Sequence, residues 1–75
     1  MITEDQASQI SQAVKAVALA IGKKSGRNEF GAIYGELYRK FGIASYKQLP
    51  ARRFQEAMRF LAEWHESVTG SSLPF

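Results

Sequence analysis

Cysteine is absent from the 75 residues. Disulfides and thiolate metal sites are therefore excluded. Histidine occurs once, at His65, so a zinc site would have to rest on carboxylates, and no metal ligands are assigned. Long apolar runs are missing too. The longest weakly polar stretch, residues 16–22, is far shorter than the roughly 20 residues that span a bilayer. The chain starts Met1-Ile2-Thr3-Glu4-Asp5, with no basic region ahead of an apolar run, so no signal peptide is read there. A cytoplasmic location without membrane contact is expected. No internal repeat or low-complexity segment is visible.

Catalytic patterns are also lacking. No nucleophile has a base beside it, and the seven acids are spread out as caps and salt-bridge partners. The run Gly22-Lys23-Lys24-Ser25-Gly26 has small and basic residues but neither the flanking strand nor the spacing of a phosphate-binding loop. His65 falls inside an apolar stripe, where a structural histidine is expected. No catalytic residue, cofactor-binding residue, cofactor or small-molecule substrate is assigned, and an enzyme is not expected.

What remains is a small basic chain. Seventy-five residues make at most one domain. A core of this size rarely supplies more than about 3–5 kcal/mol, and small domains commonly add a disulfide, a metal or a partner chain. Here association with another chain is the usual route left. The net charge of +3 permits nucleic-acid contact without demanding it.

Apolar periodicity predicts three helices. Thr3 with Gln6 is a capping-box pattern, and Glu4 and Asp5 complement the helix dipole. Ala7, Ile10, Val14, Val17 and Ile21 then recur at spacings of three and four, close to a heptad seam. Gly22 and Lys23-Lys24 are read as the stop. Ala13, Ala18 and Ala20 flank the seam and would let another helix approach. Leu19 lies opposite, among Ser8, Gln12 and Lys15. Such a residue is most often a stray surface leucine; the alternative is contact with a partner.

The second helix is expected from about Arg27 or Asn28, with Asn28 as cap. Its stripe is Phe30, Ile33, Tyr34, Leu37, Tyr38 and Phe41. Gly31 and Gly35, four apart, mean either a close helix contact or a locally soft helix. Gly42 then suits a left-handed C-cap, and Ser45 with Gln48 makes a second capping-box pattern over one short turn. Pro50 begins the third helix, which runs to about Val68 with Gly70 as its stop. Its stripe is Phe54, Ala57, Met58, Leu61, Trp64 and Val68, widened by Phe60. Arg52, Glu56, Arg59, Glu63 and Glu66 alternate in sign on the polar face, as in a solvated helix. The expected fold is an all-α, three-helix domain over residues 1–70, with a short extra turn between helices two and three. Residues 71–75 are read as a loose tail, with docking of Leu73 and Phe75 on the bundle as the alternative. The joint is longer than the turn of a DNA-binding helix-turn-helix.

At this joint a resemblance enters. Residues 33–64, IYGELYRKFGIASYKQLPARRFQEAMRFLAEW, resemble the C-terminal domain named after open reading frame six in phage regulatory proteins. That family shows an aliphatic-Tyr helix, then Phe-Gly-Val/Ile, Ser-Tyr, Ile/Leu-Pro and a helix ending Phe-Ile/Leu-x-x-Trp. Here these are Ile33-Tyr34, Phe41-Gly42-Ile43, Ser45-Tyr46, Leu49-Pro50 and Phe60-Leu61-Ala62-Glu63-Trp64, with Arg27 and Phe30 also fitting. The resemblance implies a piece of a phage or prophage regulator of antirepressor type, acting on transcription in a bacterial host. Its relatives sit behind Bro- or Kil-type domains thought to touch DNA. It brings no defined functional residues.

Two functions follow as expectations. The first is a non-enzymatic binding module that self-associates or grips a partner protein such as a repressor. Its interface is expected at Ile10, Val14, Val17, Leu19, Ile21, Phe60 and Trp64. The second is a DNA-binding domain using Arg39, Lys40, Lys47, Arg52 and Arg53, with Tyr46 among them. Lys23, Lys24 and Arg27 make a separate basic group at the first joint. A folded spacer with no partner is a third option.

Overall fold

A computed structural model of the chain describes residues 1–25 and 29–70. Among them are three α-helices and no strand: α1 (Glu4–Ser25), α2 (Phe30–Phe41) and α3 (Phe54–Thr69). Two 3₁₀ turns, Tyr46–Gln48 and Ala51–Arg53, fill the joint between α2 and α3. The domain is thus all-α, as the three stripes require, with two extra turns where one was expected.

The start of α1 is a reciprocal capping box. Gln6 N–H donates to Thr3 Oγ1 at 3.1 Å, and Thr3 N–H donates to Gln6 Oε1 at 3.0 Å. Just before it, Ile2 N–H donates to the Leu49 carbonyl at 3.0 Å, which ties the beginning of α1 to the distant joint. Gly22 does not end the helix. α1 runs on through Lys23 and Lys24 to Ser25, and among the described glycines only Gly42 and Gly70 have positive φ. A glycine weakens a helix by about 1 kcal/mol without forcing a break, and the two lysines that follow are good helix formers. Asn28 as cap and Arg27 lie outside the described residues, as do residues 71–75; α2 begins at Phe30.

The exit of α2 matches its expected chemistry. Gly42 sits at φ 64°, ψ 39°, and its N–H donates to the Tyr38 carbonyl. The Ile43 N–H shares that acceptor at 3.1 Å, which turns Ile43 back towards the core. The second capping box is present in shifted form. Ser45 Oγ accepts from the Lys47 N–H at 3.4 Å, and Gln48 Oε1 accepts from the Ala44 N–H at 3.1 Å. A 3₁₀ turn closes its bonds one residue sooner than an α-helix, so both partners move by one position. Pro50 likewise opens a 3₁₀ turn, with Arg53 N–H donating to the Pro50 carbonyl at 2.9 Å, and α3 proper starts only at Phe54. Between the two turns Leu49 is driven fully inside.

The core is built around α1, which packs against both other helices. Ile10, Val14 and Val17 from α1 meet Ile33, Leu37 and Phe41 from α2, Leu49 from the joint, and Phe54, Ala57 and Leu61 from α3. Ala13 and Ala18 are buried in the same cluster, and their small side chains let α1 lie close to its neighbours. This corrects one expectation. Ile10, Val14 and Val17 are 0% exposed inside the domain's own core, so they are not available to another chain. The heptad-like seam is satisfied within the molecule by α2 and α3. Ile21 is partly buried against the same cluster. Gly31 and Gly35 have nothing within 4 Å of where a Cβ would stand, so no helix uses them for close approach.

Candidate protein-binding groove

While α1 touches both partners along its length, α2 and α3 meet through the edge-on contact of Phe41 with Phe60, centroids 6.4 Å apart. Beyond that contact the two helices leave a groove of about 590 Å³ lined by Glu36, Phe60, Glu63, Trp64 and Ser67. Phe60, Trp64 and Ser67 fall on one face of α3 because their spacings are four and three. Phe60 and Trp64 pack edge-on at 5.7 Å, so Phe41, Phe60 and Trp64 make a continuous aromatic row. Phe41 is buried, whereas Phe60 and Trp64 are only half-buried. The row therefore begins in the core and surfaces in the groove.

Cations close its inner end. The Arg53 guanidinium lies 4.5 Å from the Phe41 centroid and holds Glu56 through two hydrogen bonds, Nε at 3.3 Å and Nη2 at 3.1 Å. Lys40 Nζ stands 5.4 Å from the Phe60 centroid. Such contacts contribute about 0.5–1 kcal/mol where water has access. A smaller hollow of about 130 Å³, lined by Lys40, Glu56, Arg59, Phe60 and Glu63, continues the groove past Phe60.

The outer end is acidic. Glu36 and Glu63 are the charged residues of the larger hollow, in a chain whose net charge is +3. Glu36 is paired with Arg39 on its own helix at 2.6 Å. Glu63 has no hydrogen-bond or ion-pair partner among the described residues. The groove thus offers aromatic surface and carboxylates to whatever fills it. Nothing in it resembles a catalytic constellation, and no group of three His, Cys, Asp or Glu able to hold a metal occurs among the described residues. Elsewhere His65 is half-buried with Nδ1 3.5 Å from Thr69 Oγ1, which also donates to the His65 carbonyl at 2.9 Å.

A family model described as the ORF6C domain matches residues 1–71. The chain belongs to the ORF6C domain family. It is thereby a domain of phage regulatory type, and the match takes in α1 as well as the segment on which the resemblance was first read. No curated protein and no solved structure matches the chain.

In this ORF6C domain the sequence-predicted residues separate into three groups. Ile10, Val14 and Val17 are core, with Ile21 at its edge. Phe60 and Trp64 line the groove. Leu19 stands alone on the outer face of α1, 55% exposed. Of the five basic residues, three have local partners. Arg39 is bound to Glu36, Arg53 to Glu56 and the Phe41 ring, and Lys40 lies over Phe60. Lys47 and Arg52 are exposed without an acid partner among the described residues. Tyr46 is half-buried against Tyr34, with centroids 5.5 Å apart, and Tyr38 lies tilted against Tyr34 at 5.7 Å. Burial raises the Tyr34 phenol above its ordinary value, against the opposing pull of its hydrogen bond with Ser11.

Glu36 and Glu63 were absent from the sequence-predicted interface. The sequence pattern puts Glu63 on a helix face of self-answering charges. Its proximity to the aromatic row depends on how far α3 is rotated towards α2, and no local pattern reports that.

Proposed function

We propose that this ORF6C domain is a non-enzymatic protein-binding module of a phage regulator. It joins the regulator to a second protein chain, either another copy or a partner such as a repressor, through the groove between α2 and α3. One observation carries this reading. Phe60 and Trp64 form the exposed end of an aromatic row whose other end is anchored in the core. Aromatic side chains held rigidly beneath a polar rim are the usual anchors of protein interfaces, since burying them releases much apolar surface at little entropic cost. The alternative of DNA contact has less support, because three of its five cations already face local acids or rings.

The experiment is site-directed photocrosslinking in the bacterial cell. A photoreactive amino acid replaces Ser67 at the groove and, as control, Gln55 on the far side of α3. Adducts with protein are expected from position 67 and not from position 55. Equal yields at both positions, or none at 67, overturn the reading.

A further inference from the structure

The groove has a complementary surface on the same molecule. Apart from Met1, Leu19 is the large apolar residue left mostly exposed among the described residues. It sits on the outer face of α1, one turn after Lys15, and the neighbouring Ser8 and Gln12 are uncharged and hydrogen-bonded to each other at 3.2 Å. Among the residues of that face whose side chains are described, Leu19 is the apolar knob and Lys15 the cation one turn away, while Glu4 and Lys47 line a hollow beside Ser8 and Gln12. The groove carries aromatic walls, Glu36 and Glu63, and no cation in its larger hollow.

Resting on the reading of the groove as a docking surface, we infer that its occupant is the outer face of α1 from a second copy of this chain. Leu19 enters between Phe60 and Trp64, and Lys15 faces Glu63, since Glu36 is already paired with Arg39. Charge decides between this and the symmetric alternative. Two grooves placed face to face would set Glu36 and Glu63 against their own counterparts, and like charges across an interface oppose binding. Knob into groove pairs opposite charges and covers both exposed apolar features. The two surfaces belong to different elements, so the contact is heterologous. Each added copy leaves one knob and one groove free, and the assembly grows head to tail unless it closes into a ring. A single leucine with one charge pair makes such a contact weak, so the association is expected at micromolar concentrations or above.

Sedimentation with complementing variants tests this. The average mass of the wild-type chain is expected to rise with concentration. Leu19→Glu and the double variant Glu36→Lys/Glu63→Lys change exposed positions only and should keep their helical circular dichroism. Each is expected to self-associate at least about tenfold more weakly than wild type. Leu19→Glu keeps an intact groove and the double variant keeps an intact knob, so an equimolar mixture should associate more strongly than either variant alone. Variants that assemble like wild type, a mixture that stays monomeric, or a wild-type chain that is monomeric at high micromolar concentration each overturn the inference. The crosslinking experiment separates that failure from failure of the groove reading. Adducts from position 67 to a different protein leave the groove standing with another occupant, whereas no adduct at 67 removes both.

Discussion

Three glycines of similar appearance in the sequence have opposite roles. Gly42 holds φ at +64°, where a Cβ is strained whatever the free space. Gly42→Ala is expected to destabilise the domain by about 1 kcal/mol in urea denaturation. Gly31 and Gly35 are helical with open space around them, so alanine at either should stabilise by about 0.5–1 kcal/mol in the same measurement. At the other end of the chain, Thr3→Ala removes one half of a reciprocal cap and is expected to cost about 0.5–2 kcal/mol. Glu56 supplies a pH test. The hydrogen bond from Arg53 holds its carboxyl below the ordinary value of 4.5, so the folded chain binds that proton less readily than the unfolded one. Its contribution is complete above about pH 4.5 and is lost as pH falls through the lower folded value. Thermal melts of Glu56→Gln should therefore fall less steeply with acidification than those of wild type. The effect will be small, since the carboxylate is solvent-exposed.

At the level of elements, α1 holds the domain together. Its seam is shared by both other helices, and its first residues are pinned to the joint through Ile2 and Leu49. Truncating a buried side chain here combines lost burial with a cavity. Ile10→Ala or Leu37→Ala is expected to cost about 2–5 kcal/mol. That is comparable with the whole stability available to a core of this size, so either variant should be largely unfolded by circular dichroism at room temperature. The three stripes and most stops were legible from local pattern. Gly22 was not, because a helix passes through glycine when flanking residues favour it, and Lys23 and Lys24 do. The form of the joint was only half legible. Ser45 and Gln48 mark one turn and Pro50 a helix start, but Pro50 opens a second 3₁₀ turn and α3 begins only at Phe54.

For the whole molecule, the decisive quantity is which apolar surface stays uncovered. The seam of α1 looked like an interface and is core; the arc of α3 through Phe60 and Trp64 reaches the surface. Electrostatics follow the same division. Arg52 is exposed and stands apart from the groove, so Arg52→Glu should leave the sedimentation profile of the chain unchanged. If the domain bound duplex DNA instead, that variant would weaken a gel shift seen at low salt, and the wild-type affinity would fall steeply with added salt. The expectation here is no such shift for either chain at physiological ionic strength. No described helix is long and apolar enough to cross a membrane.

The amino-acid sequence by itself determined the three helices, their caps at Thr3, Gly42 and Gly70, and the family to which the chain belongs. These are consequences of spacing and of backbone preference, both of which act over a few residues. Only the tertiary structure decided that Ile10, Val14 and Val17 face inward, that Arg39 and Arg53 are held by local acids, and that Glu36 and Glu63 flank an aromatic groove. Those outcomes depend on how α2 and α3 lean on α1. Side-chain periodicity says that a helix has an apolar face, but not which neighbour covers it or where the covering ends.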